Sequence, residues 1–215
     1  MNMPEDDIVF PKVEAAVKKL AEYSRRFSFP CLDKDPSAIA RESAEGAWIK
    51  SISRKRSGCI DVYLQWAEAN VPKMAKNVRY VINQTQFDIL VRKTASDLLR
   101  VWRDAFSDKV TKLSYGVAHR SVDQLFMAID ESEGCRHDTV RPFLHVPLDG
   151  TTLKPLRLII DELVDVDFAL EIPATIPPGF VATEEQYVLL QGAISALARR
   201  AGIPPILYAY WCAGN

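Results

Sequence analysis

Apolar residues along this chain recur at three- and four-residue steps far more often than at alternate positions, and that spacing predicts helices from one end to the other. Pro11 suits a first helical turn, and Val13, Val17, Leu20 and Tyr23 follow as one stripe up to the break at Phe27-Ser28-Phe29-Pro30. Asp35-Pro36 is a second start signal, leading through Ala38 and Ile39 toward Ala47-Trp48-Ile49. A short helix over 59–69 places Ile60, Tyr63, Leu64 and Ala67 on one face. The clearest helix spans 85–106, with Phe87, Leu90, Val91, Leu98, Trp102, Ala105 and Phe106 in one apolar stripe. Another spans 116–130 through Ala118, Val122, Leu125, Phe126 and Ile129, and the charged stretch 131–138 reads as a loop.

Asp149 is placed to cap a helix carrying Leu153, Leu156, Ile159, Ile160 and Leu163. The segment 164–172 alternates only in part. Prolines 173, 177 and 178 follow at once and favour an extended loop over a central strand. Thr183-Glu184-Glu185-Gln186 has the capping-box pattern, Gly202 is the matching stop, and a last short helix covers 204–211. No repeat, low-complexity tract or linker interrupts the series. The chain is therefore expected to be all-α, one domain of about eight helices over residues 1–215, with a small N-terminal lobe over 1–70 as a possible subdivision.

Composition sharpens this picture in two places. With 215 residues, 48% of them hydrophobic, the chain can bury a substantial core, and its net charge of -1 excludes a wholesale polycation. The charge is uneven, however: residues 50–120 hold 14 Lys and Arg against 6 Asp and Glu, whereas 151–215 hold 4 against 7. A basic middle is compatible with a localised anion-binding face, and Arg54-Lys55-Arg56 is its best sequence-local candidate for phosphate contacts. Cysteines 31, 59, 135 and 212 show no CxxC spacing, the start of the chain is acidic, and no segment approaches the length of a membrane span. Reduced thiols in a cytoplasmic protein are the expectation.

Two short segments carry candidate chemistry. In Ser114-Tyr115-Gly116-Val117-Ala118-His119-Arg120-Ser121-Val122, a glycine at a helix start brings bare backbone N–H groups close to any bound phosphate, with Arg120 and Ser121 beside them. In Leu144-His145-Val146-Pro147-Leu148-Asp149-Gly150, a carboxylate caps a helix. The first segment resembles the hairpin signature of the helix-hairpin-helix DNA glycosylase superfamily. The second resembles the segment whose aspartate, in those enzymes, caps a helix and stabilises positive charge developing on the sugar. The resemblance implies nucleic-acid binding through Gly116, His119, Arg120 and Ser121, a helix-hairpin-helix core, and Asp149 as the catalytic carboxylate. Two positions depart from the pattern: Ala118 replaces the second glycine, and Arg120 stands where lyase members carry a Schiff-base lysine. An always-protonated guanidinium cannot act as that nucleophile, so the implied chemistry is base excision without strand cleavage.

The stretch from Tyr115 to Leu153, with Tyr187, Gln191 and Tyr210-Trp211, is also similar to bacterial proteins bearing Tyr-Gly-x-Ala-Gln-Lys and Leu-His-x-Pro-x-Asp segments, a likeness that brings no activity with it. Cys135, His137 and His145 lack the four-ligand spacing of a structural zinc site, and no dinucleotide, P-loop or zinc-deaminase signature is present, so neither metal nor cofactor is expected. Trp48, Trp66, Trp102 and Trp211 sit in apolar stripes and read as core. The alternative to a DNA partner is a noncatalytic helical scaffold or interaction module, in which both motifs serve only as turns and caps.

Overall fold

The computed structural model describes residues 11–46, 58–106, 112–133, 139–163, 170–177 and 179–214. Over these residues the all-α expectation holds: there are nine α-helices, one 3-10 turn at Arg141–Phe143, and no strand. Helices α1 (Pro11–Ser24) and α2 (Pro36–Gly46) begin at the prolines that signalled them. Asp35 caps α2 by accepting the Ala38 N–H at 2.7 Å.

Helix α3 (Cys59–Val78) is longer than the expected 59–69 segment, because Val71, Met74 and Val78 extend the buried stripe past Pro72, whose side chain is exposed. Helix α4 (Gln84–Ala105) starts at Asn83, which accepts the Gln86 N–H at 3.0 Å. Helix α5 (Tyr115–Glu133) also outruns its expected end. Glu131, read from sequence as loop, is buried, with its carboxylate taking Lys34 Nζ at 3.0 Å and the Tyr210 hydroxyl at 2.8 Å.

The single helix expected over 149–163 is two, α6 (Gly150–Arg157) and α7 (Ile160–Leu163). Pro155 offers no N–H, and the N–H groups of Leu158 and Ile159 turn back to the carbonyls of Pro155 and Leu156, tightening and ending the turn. Helix α8 (Glu184–Ala201) has the expected reciprocal Thr183/Gln186 box and stops at Gly202, whose φ of 67° suits glycine; α9 (Ile206–Ala213) follows.

Two groups of helices result. In one, α2, α3, α4 and α5 pack on each other; in the other, α8 and α9 hold α1, α6 and α7. A single apolar cluster runs through both, from Val13 to Cys212, so α1 and α2 are built into the same core as the rest. Trp66 and Trp102 lie in that core, as their stripes predicted. Trp211 is partly buried, and Trp48 lies outside the described residues. No helix among the described residues is long and apolar enough to cross a membrane. One cysteine expectation fails. Cys59 and Cys212 are buried thiols, but Cys31 is disulfide-bonded, and such bonds persist in oxidising surroundings rather than reducing ones.

Candidate functional site

The start of α5 lies on the seam between the two helix groups, and neighbouring residues on it look into different cavities. Its opening turn is anchored locally. Ser114 Oγ accepts the Val117 N–H, the Ser114 carbonyl accepts the Ala118 N–H, and the Gly116 N–H donates to the Val181 carbonyl at 3.1 Å. A Cβ on residue 116 would lie 2.3 Å from that same oxygen and 2.8 Å from Val181 Cβ. The glycine is therefore required by the 179–182 segment packed over the helix start. The N–H groups expected to cradle a phosphate are already engaged, which corrects the reading of Gly116 as a phosphate contact. Ser121 is corrected likewise: it is fully buried and donates to the Val117 carbonyl at 2.8 Å.

On one side of the turn, Arg120 Nη2 donates to Asp149 Oδ2 at 2.9 Å. These residues, 29 apart in sequence, share a recess of about 180 Å³ with Gly116, Gly150 and Phe180. Asp149 Oδ1 accepts the N–H groups of Thr151 (2.7 Å) and Thr152 (3.1 Å), while Thr152 Oγ1 accepts the Asp149 N–H and donates to the Pro147 carbonyl. The expected cap is thus a full capping box. Burial pulls the Arg120 guanidinium below its usual range, and Asp149 acts in the opposite sense.

On the other side, His119 looks into a cavity of about 340 Å³ bounded by α4, α8 and the extended segment 144–148. That segment is fixed by Gln191, whose side chain accepts the Val146 N–H at 3.0 Å and donates to its carbonyl at 2.7 Å. With Leu144 and Val146 buried on one side, strand-like alternation turns His145 to the other. There its Nδ1 lies 2.8 Å from the Tyr187 hydroxyl and its Nε2 lies 2.9 Å from Asp88 Oδ1. Tyr187 in turn donates to both oxygens of the fully enclosed Asp123, each at 2.9 Å. Gln84 closes the outer end by donating to Asp88 at 2.8 Å.

A hydrogen-bonded chain therefore runs from buried Asp123 through Tyr187 and His145 to half-exposed Asp88. Its two carboxyls are tuned apart. Burial pushes Asp123 well above the usual carboxylate range, against the pull of Tyr187. At Asp88 partial burial acts upward too, but hydrogen bonds from His145 and Gln84 outweigh it and hold the group low. Beside the chain, His119 is 3% exposed and its Nδ1 has no hydrogen-bond partner. Its ring stacks on Tyr115 with centroids 4.1 Å apart and leans on Tyr187 at 4.5 Å. Burial, with the fields of His145 and Arg92, pushes its pKa down to about 4, so the ring is neutral at pH 7.

Of the residues singled out from sequence, Gly116, Arg120 and Asp149 come together, His119 faces a separate cavity, and Ser121 is core. Arg54, Lys55 and Arg56 lie outside the described residues. Among the described residues no group of three His, Cys, Asp or Glu side chains could hold a metal ion. Sequence reasoning missed Asp88, Asp123 and the role of His145. One signal was present for Asp123: His119, Asp123, Phe126 and Asp130 recur at helical spacing on the buried side of α5, and a carboxylate on such a stripe needs a partner.

The chain has no match to any protein-family model, and it is similar to no curated protein and no solved structure.

Proposed function

We propose that the protein acts on nucleic acid at the Arg120–Asp149 recess, removing a base by hydrolysis with Asp149 as the carboxylate that stabilises positive charge on the sugar. One observation carries this reading: Arg120 and Asp149, which lie in the two segments that resemble the glycosylases, stand 2.9 Å apart in a recess at a helix start. A carboxylate fixed by two backbone N–H groups and a guanidinium is preorganised, which is what electrostatic stabilisation of a developing cation requires. Arg120 supplies no amine, so the product is an abasic site with an intact strand.

A noncatalytic helical module is the second reading, and a specific observation favours it. Both Asp149 oxygens already have partners, and the Gly116 N–H is taken by Val181. Single-turnover assays on duplexes carrying uracil, alkylated, oxidised or mismatched bases separate the two. The excision reading expects release of at least one base by the parent and at least a hundredfold loss in Asp149→Asn, which keeps an oxygen for the cap. No release across the panel, with Asp149→Asn lowering only stability, establishes the module.

A further inference from the structure

The His119 cavity does not end at the aromatic wall. It is bounded along α8 by Val188, Gly192, Ser195 and Arg199, positions at helical spacing that form one face. A second chamber, of about 540 Å³, continues from it and shares Gln84, Ser195 and Arg199. Midway along this face a Cβ on Gly192 would meet nothing within 4 Å, so the groove is open there rather than filled by neighbouring helices.

The two ends of the groove differ in chemistry. At the inner end, Tyr115 stacks on neutral His119, in a cavity that the His145 ring and the Asp88 carboxylate also line. That combination suits a flat heteroaromatic ring with polar edges. At the outer end, Arg199 and Ser195 sit one helical turn apart, and neither has a partner among the described residues. Arg92, by contrast, is already paired with Glu184 at 2.7 Å. The charge left to be matched is therefore the Arg199 guanidinium, which with an adjacent hydroxyl suits a phosphate. Val188 and Arg199 are eleven residues apart, about 16 Å of helix, and an arginine side chain leans back toward the helix N-terminus by several ångströms. What remains is about the length of a base, a sugar and one phosphate.

We propose that this groove binds a nucleoside monophosphate, its ring against Tyr115 and His119 and its phosphate on Arg199 and Ser195. The site is separate from the Arg120–Asp149 recess, and the proposal does not rest on base excision. Calorimetric titration of the full chain with adenosine and cytidine monophosphates, the matching nucleosides and inorganic phosphate tests it. At least one monophosphate should bind at least about tenfold more tightly than its nucleoside, and phosphate alone should give no saturation at about 10 mM. Arg199→Gln should bring the monophosphate down to its nucleoside's affinity. Gly192→Leu, on an exposed helix face where a side chain is tolerated, should abolish both. Asp149→Asn should change neither, which keeps this test independent of the excision assay. The proposal is overturned if no monophosphate saturates by about 10 mM, if inorganic phosphate binds as well as the nucleotides, or if Gly192→Leu binds like the parent.

Discussion

His119 and Arg120 are consecutive residues, yet the cavities they face are in opposite electrostatic states. On the Arg120 side the opposite charges answer each other: the carboxylate of Asp149 holds two backbone N–H groups and the guanidinium, and the helix start is closed by Val181. On the His119 side a buried imidazole nitrogen has no partner, and a chain of four polar side chains leads from an enclosed carboxyl toward solvent. A saturated cluster holds one geometry well and has little capacity left for a newcomer. An unsaturated one keeps hydrogen-bonding capacity that a ligand can use. The sharper sequence motif thus marks the more finished structure, while the cavity with more to offer lies beside it.

The contrast breaks most visibly at Gly116. If the glycine serves the contact with Val181, Gly116→Ala forces a backbone shift and loses the N–H to carbonyl bond, costing about 3 kcal/mol. The melting temperature should then fall by about 6–12 °C, whereas Gly150→Ala, with nothing within 4 Å of its Cβ, should be near neutral. A Gly116→Ala protein of full stability that has lost DNA binding would restore the phosphate-contact role.

The next largest effect is expected from Tyr187→Phe, which strips Asp123 of its hydroxyl donor and leaves the space filled. An enclosed carboxyl without a donor costs about 2 kcal/mol. The sign with pH follows from the bond's effect on a raised pKa: Tyr187 pulls the Asp123 pKa down, so without it the folded state holds that proton to still higher pH than the unfolded state does, and the deficit should be larger at pH 8 than at pH 5. Denaturant midpoints at both pH values check this. A deficit that is constant with pH would mean that Tyr187 acts on packing alone.

His119 gives a smaller effect of opposite sign. Its folded pKa, about 4, lies below the unfolded value of 6.5, so the unfolded chain takes the proton first. The stability involved is present above pH 6.5 and is lost as pH falls toward 4. By pH 5 the loss is about 1–2 kcal/mol. His119→Phe retains a ring against Tyr115, and its stability should fall less between pH 7 and pH 5 than the parent's. Parallel profiles would place the ring in contact with water.

These differences show why some parts of the molecule were legible in the sequence and others were not. Helix starts were, because Asp35, Asp149 and Thr183 act through bonds within three residues. Helix ends were less so: α3 continues past Pro72 and α5 takes in Glu131 because of distant partners, respectively the apolar core and Lys34 with Tyr210. The Arg120–Asp149 pair joins two residues that the sequence offered separately, each in its own short segment. The Asp88–His145–Tyr187–Asp123 chain joins four separate segments, 22 residues apart at the closest between Asp123 and His145, and no local pattern encodes it.

The smallest effect tests the saturated side directly. Arg120 and Asp149 are each less than one-fifth exposed, so their coupling should exceed that of a surface pair yet stay near 1 kcal/mol, since burial of the guanidinium offsets much of the attraction. A double-mutant cycle with Arg120→Gln and Asp149→Asn isolates that term, because asparagine keeps the cap and glutamine keeps a polar stem. The same four proteins separate structure from chemistry. If the carboxylate acts on a sugar, excision disappears in both proteins bearing Asp149→Asn and survives in Arg120→Gln. Removing the guanidinium costs the carboxylate one of the three donors that fix it, so the surviving rate should fall, but far less than in Asp149→Asn. A rate that falls equally in both single variants would mean that the pair acts as a unit holding α6 against α5, and Asp149 would then be a positioning residue.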